Sequence, residues 1–198
     1  MNELSSSNSF FISHHPQWSE AFFGIEHANK YSISDSTGQE ILFAHEEKGS
    51  FLKRFFMQNT RPFVINVFNR EQKLLFKVNR PFRFIWQECS AVTELGETLG
   101  SIRMRWAFFS KKYDITDSTD QVIFTIQSPM LKPWTYFIYK MDKQVGLITK
   151  KWTGFKKELF TTADNFGLQL DTNASDKEKS LLLSAVFLID FMYFEKKN

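Results

Sequence analysis

A ten-residue segment that occurs twice constrains the fold of this chain more than any other feature. KYSISDSTGQ at residues 30–39 returns as KYDITDSTDQ at residues 112–121, with seven of the ten positions identical. Each copy alternates apolar and polar residues and then reaches an Asp-Ser-Thr turn, a pattern typical of a strand followed by a tight turn. A repeat spaced by 82 residues in a chain of 198 predicts two similar antiparallel half-sheets, with chance similarity of two hairpins as the alternative.

Further segments with the same two-residue alternation extend the β pattern over most of the chain. Residues 30–44 and 63–78 each read as strand, polar turn and strand, and more strands are predicted at 101–109, 113–116, 122–127, 135–141 and 145–150. Between residues 21 and 173 we find no sustained helical periodicity. Because closure removes the exposed edges that invite aggregation, we expect the two halves to close on each other.

The C-terminal segment has a different character. Ser175 and Glu178 form the sequence signature of a capping box, and residues 181–194 are apolar on every face apart from Ser184 and Asp190. Such a helix is either enclosed by protein or spans a membrane. Fourteen residues cover roughly 21 Å, against about 30 Å of bilayer hydrocarbon. Asp190 would add about 2.5–3.5 kcal/mol to membrane insertion. We therefore predict a mainly β barrel that encloses a helix over residues 175–194, with a spanning helix as the alternative.

Composition narrows the functional classes. The 23 phenylalanines predict a thick aromatic core, with a ligand-stacking surface as the alternative. A lone cysteine, Cys89, excludes an internal disulfide, and four scattered histidines give no zinc motif. With 25 basic and 22 acidic residues the chain is too balanced for a dedicated nucleic-acid binder, and we do not expect nucleic acid as its partner.

The N-terminal residues differ from the rest of the chain. Residues 1–18 are polar and serine-rich around a short apolar island at Phe10, Phe11 and Ile12, and we predict that they form a loose arm. They show no basic segment followed by an apolar run, so we expect no secretory signal and a cytoplasmic protein. Residues 19–198 are predicted to form a single barrel domain.

Six segments give the chain a resemblance to the phospholipid scramblase family over residues 20–195. They are NKYSISDSTGQEILFA at 29–44, RPF at 61–63, NRPF at 79–82, KKWTGF at 150–155, ADNFGLQL at 163–170 and FLIDFMYFE at 187–195. The resemblance implies a fold of the tubby C-terminal type, a closed barrel of about twelve antiparallel strands around a hydrophobic helix. It also implies calcium-stimulated movement of phospholipids between bilayer leaflets.

The resemblance places a calcium loop on residues 162–173, TADNFGLQLDTN. Its candidate ligands are Thr162, Asp164, Asp171 and Asn173. Calcium takes six to eight oxygen ligands, and this segment offers few carboxylates, so we expect weak calcium binding or none. A strand and turn that bends at Gly167 is the alternative interpretation.

A basic, aromatic segment offers candidate lipid contacts. Residues 140–157 contain six lysines and a single acid, Asp142. Each lysine near an anionic bilayer contributes about 1 kcal/mol, and tryptophan prefers the headgroup level. A solvated charged hairpin is the alternative. The residues predicted to bind anionic phospholipid are Lys150, Lys151, Trp152, Lys156 and Lys157.

Two further residues stand out. Animal relatives of the family carry a palmitoylated cysteine cluster, whereas Cys89 is the one cysteine in the corresponding place here. Asp190 lies in the apolar helix between Phe187 and Phe191, and a buried carboxylate needs a partner. We expect it to pair with a barrel-lining Lys, Arg or backbone group; a foothold for a headgroup or an ion is the alternative.

The motifs of covalent catalysis are missing from the sequence, which contains no G-x-S-x-G elbow, H-E-x-x-H pair or glycine-rich phosphate loop. We therefore predict a scramblase-like, lipid-binding or lipid-translocating protein rather than an enzyme, with peripheral membrane association and weak or no calcium dependence. The alternative is a soluble tubby-like interaction module without transport activity. A small-ligand carrier would need an open lumen, which the predicted core helix would fill.

Overall fold

The computed structural model describes residues 2–14, 29–47, 60–150, 165–171 and 173–194. These residues form two helices and twelve strands. In chain order they are α1 (Asn2–Ser5), β1 (Ser9–His14), β2 (Lys30–Ser34), β3 (Glu40–Glu46), β4 (Phe63–Asn69), β5 (Leu74–Arg80), β6 (Glu88–Val92), β7 (Thr98–Arg105), β8 (Ser110–Asp117), β9 (Val122–Pro129), β10 (Thr135–Lys140), β11 (Lys143–Thr149), β12 (Asn165–Leu170) and α2 (Asp176–Tyr193).

The strands form one closed barrel in which each strand pairs antiparallel with its sequence neighbours and β1 pairs with β12. Side chains alternate between the interior and the surface, as in β9, where Phe124 and Ile126 are buried between more exposed residues. Closure leaves no edge strand among the described residues, which removes the usual site of edge-to-edge aggregation. The predicted closed antiparallel barrel is confirmed.

The prediction of a loose N-terminal arm is wrong for the described residues 2–14. The apolar island forms β1, which pairs with β12 on one side and β2 on the other and so closes the barrel. Phe10 and Ile12 are fully buried inside it. The sequence pattern could not show this pairing because the partner of Phe10 is Leu168, almost the whole chain away.

The repeated segment forms the same structure twice. In each copy the aspartate that ends the strand accepts hydrogen bonds from the backbone amides two and four residues later. The distances are 2.8 and 3.1 Å at Asp35 and again 2.8 and 3.1 Å at Asp117. The fourth turn residue has a positive φ in both copies, 85° at Gly38 and 67° at Asp120. The sequence repeat is therefore a repeat of strand and turn.

The two repeats lie six strands apart, on opposite sides of the twelve-strand barrel. Each sends a tyrosine inward to the same helix. The Tyr31 hydroxyl donates to Asp190 Oδ2 at 2.9 Å, and the Tyr113 hydroxyl donates to the Tyr193 hydroxyl at 3.1 Å. Equivalent residues of the repeat thus hold α2 from both sides.

Helix α2 fills the barrel interior. It begins with the predicted capping box, in which Ser175 and Glu178 exchange hydrogen bonds. The residues from Lys179 through Phe191 are continuously buried. In the part of the chain described here, no helix is both long enough and apolar enough to cross a membrane. The predicted hydrophobic C-terminal helix enclosed by the barrel is confirmed, and it extends from Asp176 to Tyr193.

The up-and-down topology gives the barrel two different ends. Residues 81–87, 106–109 and 130–134 connect β5–β6, β7–β8 and β9–β10, so they meet at one end, called here the loop end. Residues 35–39, 70–73, 93–97, 118–121 and 141–142 form short turns at the opposite turn end. Helix α2 runs between them: Glu178 binds Lys140 beside the turn end, and Phe194 packs on Trp134 at the loop end.

Candidate functional site

The loop end carries most of the exposed apolar side chains of the described residues. Ten of the thirteen exposed large hydrophobic residues lie in its three described loops, and the other three, Leu95, Val122 and Met141, lie at or beside the turn end. Contiguous exposed patches of this kind mark interaction surfaces on soluble proteins, whereas isolated apolar residues do not. The ten are Phe82, Phe84, Ile85, Trp86, Trp106, Phe108, Phe109, Met130, Leu131 and Trp134.

These loops are tied to the barrel and to one another. Gln87 O accepts a hydrogen bond from the Met104 amide of β7 at 2.8 Å. Phe109 O accepts one from the Met130 amide at 3.3 Å, which joins the second loop to the third. Rings also pack within the loops, with centroids 4.7 Å apart for Phe82 and Phe84. These three loops, called here the rim, are therefore held in place by hydrogen bonds to the barrel and to one another.

The two ends differ in charge. The three loops of the loop end contain two basic residues, Arg83 and Lys132, and no acidic residue. The five turns at the opposite end contain six acidic residues and two basic ones. Within the described loops and turns, the two ends of the barrel therefore carry opposite net charge, which is an electrostatic polarity along the barrel axis.

Two lysines lie beneath the rim, around the C-terminal end of α2. Lys111 Nζ lies 3.5 Å from the Tyr193 ring centroid and donates to the Tyr136 hydroxyl at 3.3 Å. Lys150 Nζ lies 4.3 Å from the Phe194 ring centroid. Desolvation lowers the pKa of Lys111, which has no carboxylate partner among the described residues. Positive charge is thus concentrated where the aromatic loops begin.

Two buried arginines hold the same end of the helix. The guanidinium carbons of Arg61 and Arg80 each lie 4.5 Å from the Phe191 ring centroid, within the range of cation–π attraction. Arg61 is also paired with the buried Glu46, which accepts a hydrogen bond from Asn29 at 2.7 Å. The two RPF segments and the segment at residues 29–44 therefore converge on the C-terminal end of α2.

Asp190 has a structural partner of a different type from the one expected. It is buried, and it accepts the hydrogen bond from the Tyr31 hydroxyl. The Tyr31 ring also packs on Phe187, with centroids 5.0 Å apart. Asp190 thus pairs with a group on the barrel wall, as expected. One partner found is a tyrosine, whereas a Lys, an Arg or a backbone group was predicted.

Of the predicted lipid-binding residues, Lys150 is described and lies at the loop end, where its amide donates to Trp134 O at 3.0 Å. Lys151, Trp152, Lys156 and Lys157 lie outside the described residues. Because Thr149 ends β11 and Asn165 begins β12, the described residues on both sides of this segment lie at the loop end.

The segment assigned to calcium contains a strand. Residues 165–170 form β12 and pair with β11 and β1, so an extended stretch of roughly 17 Å separates its two ends. Asp171 and Asn173 lie at the turn end, and the Asn173 side-chain oxygen accepts a bond from Asn8 at 3.0 Å. Thr162 and Asp164 lie outside the described residues. This arrangement differs from a compact loop that wraps one ion, because the central residues are committed to the barrel.

Cys89 faces the barrel interior. It is fully buried on β6, with its sulfur 4.0 Å from the Ser184 carbonyl of α2. Burial raises the pKa of the Cys89 thiol to about 12, so the reactive thiolate is strongly disfavoured near neutral pH. The folded chain does not present this cysteine for acylation.

The sequence patterns did not identify the aromatic loops. Residues 101–109 were predicted as one strand, but β7 ends at Arg105, and Trp106, Phe108 and Phe109 are exposed. The phenylalanines therefore supply both the core and a surface, so the two interpretations of their abundance each hold in part. Two features of the sequence could have indicated loops: the prolines Pro81 and Pro133 beside clusters of aromatic residues, and the absence of acidic residues from these segments.

Comparison with known proteins gives a single family. The scramblase family model matches residues 1–196. Human phospholipid scramblase 2 is 31% identical over 191 residues, which cover 89% of this chain and 64% of the relative. Human phospholipid scramblase family member 5 is 32% identical over 186 residues, covering 87% and 68% of the two chains.

Mouse phospholipid scramblase 1 is 29% identical over 191 residues, covering 89% of this chain and 58% of the relative. The chain thus spans between 58% and 68% of the length of these three relatives. No solved structure matches the chain.

Proposed function

The chain belongs to the scramblase family, and we propose that it associates with anionic phospholipid membranes and moves phospholipids between their leaflets. Family membership over nearly the whole chain is the observation that carries this proposal. The charge difference between the described loops and turns supports the anionic preference, because the three described loops of the loop end carry Arg83 and Lys132 and no acidic residue.

The mechanism proposed is one of lipid contact without covalent chemistry. The protein lies on the cytoplasmic face as a peripheral protein, with Lys150 and the neighbouring Lys151, Trp152, Lys156 and Lys157 contributing to lipid binding. Calcium has a weak effect or none. Asp171 and Asn173 at the turn end supply too few oxygens for a tight site by themselves.

A reconstituted translocation assay tests the transport step. The purified chain is incorporated into vesicles that carry fluorescent phospholipid in both leaflets, and an impermeant quencher measures how much lipid reaches the outer leaflet. We expect faster loss of fluorescence than in protein-free vesicles, with little change when calcium is added or chelated. Binding to vesicles without acceleration would refute transport and leave a lipid-binding module.

Vesicle flotation with matched charge variants tests the binding step. Replacing Lys150 and the three lysines that follow it in the sequence by alanine should weaken binding to anionic vesicles by up to about a thousandfold at low salt, since each contributes about 1 kcal/mol. Replacing four basic residues at the turn end removes the same charge and should change binding little. The first set is Lys150, Lys151, Lys156 and Lys157; the second is Arg70, Lys73, Lys143 and Lys177. Equal losses would show that net charge, rather than the loop end, determines binding.

A further inference from the structure

The loop end exposes more apolar side chains than electrostatic attraction to a membrane requires. Lysines alone draw a protein to an anionic surface, yet the loop end also exposes large apolar side chains to water. Leu131 is 94% exposed, and Phe108 and Phe109 are each 79% exposed. Exposure of this kind is unfavourable in water, so it indicates a surface that is covered when the protein acts.

We propose that the loop end is a bilayer-inserting surface, on which residues 81–87, 106–109 and 130–134 enter the headgroup and upper acyl region while the barrel stands on the membrane with its axis along the bilayer normal. This inference rests on the proposed membrane association. It adds which surface enters the bilayer, how deeply it enters and how the barrel is oriented. The occupant is a phospholipid bilayer.

The residue types favour a bilayer. Tryptophan is enriched at the membrane–water boundary because its ring is apolar and its N–H is polar, and the described loops carry three, Trp86, Trp106 and Trp134. Phe84, Phe108 and the aliphatic residues beside them supply area for the acyl boundary. Arg83 and Lys132 in the same loops suit the phosphate layer above it.

The opposite end sets the orientation. Its turns carry a surplus of acidic residues, among them Glu94 and Asp142, and an anionic leaflet repels them. Helix α2 need not move in this arrangement, since its C-terminal Phe194 already lies beneath the rim against Trp134. Insertion therefore uses loops that are held by bonded strands rather than by the core helix.

Charge argues against a second copy of the chain as the occupant. A symmetric dimer through the loop end would place the same basic rim on both sides of the interface, and like charges facing each other oppose association. A bilayer that contains phosphatidylserine supplies the opposite charge together with an apolar layer. Both properties of the surface are then matched by one partner.

Two leucines at opposite ends provide a matched test. Leu131 in the loop end and Leu95 in the turn end are 94% and 87% exposed. Leu131→Cys and Leu95→Cys each accept an environment-sensitive fluorophore, while the buried Cys89 stays unlabelled. With vesicles of phosphatidylcholine and phosphatidylserine, we expect a blue shift and protection from an aqueous quencher at position 131 only. An equal response at both positions, or a response at 95 alone, overturns the proposal.

Apolar substitutions separate insertion from charge attraction. Phe84→Ser combined with Phe108→Ser should lower the vesicle partition coefficient by about tenfold per phenylalanine, and the loss should persist at high salt. The matched control, Leu95→Ser with Met141→Ser, should bind as the wild type does. Unchanged binding of the first variant refutes insertion.

The outcomes also distinguish this inference from the proposed transport. A blue shift at position 131 without lipid translocation supports the inserted surface and refutes transport. Translocation without that shift, or with undiminished binding of the serine variant, refutes the inserted surface and leaves transport standing. A concentration-dependent dimer in lipid-free buffer that Leu131→Ser dissolves would assign the surface to a second copy and overturn the proposal.

Discussion

Replacing Phe187 by alanine tests directly whether α2 is the core of the barrel. Phe187 is fully buried near the middle of the helix, and its ring packs on the Tyr31 ring of β2 with centroids 5.0 Å apart. The substitution leaves the helix backbone, its capping box and Asp190 in place. It removes apolar volume from the point where the helix meets the barrel wall.

The expected loss is large relative to the stability of such a domain. Truncating a buried phenylalanine loses the burial of its ring and leaves a cavity behind. Measured Phe→Ala substitutions in cores cost about 3–5 kcal/mol. Total stabilities run at about 5–15 kcal/mol, so Phe187→Ala should remove about a fifth or more of the free energy of unfolding.

The assay is urea denaturation in lipid-free buffer, followed by circular dichroism. Phe108→Ala is the matched control, because Phe108 is 79% exposed at the loop end and its removal should change the free energy of unfolding by no more than about 0.5 kcal/mol. Vesicle binding should show the reverse order, with Phe108→Ala weakened. The same substitution of phenylalanine by alanine then distinguishes a core residue from a residue of the membrane-binding surface.

One result would refute the reasoning. If Phe187→Ala left the urea midpoint and slope of the lipid-free protein unchanged, the helix would not be packed inside the barrel. A membrane-spanning helix would produce that result, since its loss of volume would matter only in lipid. A midpoint shift confined to Phe108→Ala would contradict both assignments at once.

Three further predictions concern the fold. Gly100→Ala should abolish soluble folded protein on expression, because its Cβ would lie 2.1 Å from a backbone carbonyl oxygen. The control, Gly96→Ala, has open space around it and a φ of +84°. It should lower the free energy of unfolding by only about 1–2 kcal/mol, as measured by urea denaturation. Ser175→Ala should lower the free energy of unfolding by about 1 kcal/mol through loss of the N-cap, as measured by urea denaturation. Burial raises the pKa of Glu178, but hydrogen bonds from Lys140 and Ser175 outweigh this effect and hold that pKa below its usual 4.5. The stability that Glu178 contributes is therefore complete above about pH 4.5. It is lost as the pH falls through the lower pKa of the folded protein. Glu178→Gln should therefore flatten the acid limb of a stability–pH curve below pH 4.5.

The features that the sequence predicted correctly are those set by local interactions. The aspartate carboxylates of the two turns accept hydrogen bonds from groups two and four residues later, so the repeat reveals the turns wherever it occurs. The start of α2 is likewise a bond between Ser175 and Glu178, three residues apart. The all-round apolar character of the helix then indicates an enclosed position, because neither its length nor Asp190 suits a membrane.

The features that were missed depend on distant partners or on where a strand stops. The strand character of β1 follows from its pairing with β12, and β12 itself was anticipated only as the alternative to a calcium loop. Trp106, Phe108 and Phe109 are residue types that favour strands as well as surfaces, so composition could not show that β7 ends at Arg105. The aromatic end of the barrel became visible only once the topology placed three loops together.

The filled interior limits how such a protein can move lipid. Eight large apolar side chains of α2 are buried in the barrel, and at about 1.5–3 kcal/mol each they contribute roughly 12–24 kcal/mol. This is comparable to or greater than the roughly 5–15 kcal/mol by which domains of this size are stable, so withdrawing the helix would unfold the barrel rather than open a channel. A lipid path through the lumen is therefore excluded while the fold persists. If this chain accelerates translocation, it does so from its outer surface, and the loop end is the described surface that we propose to enter the bilayer.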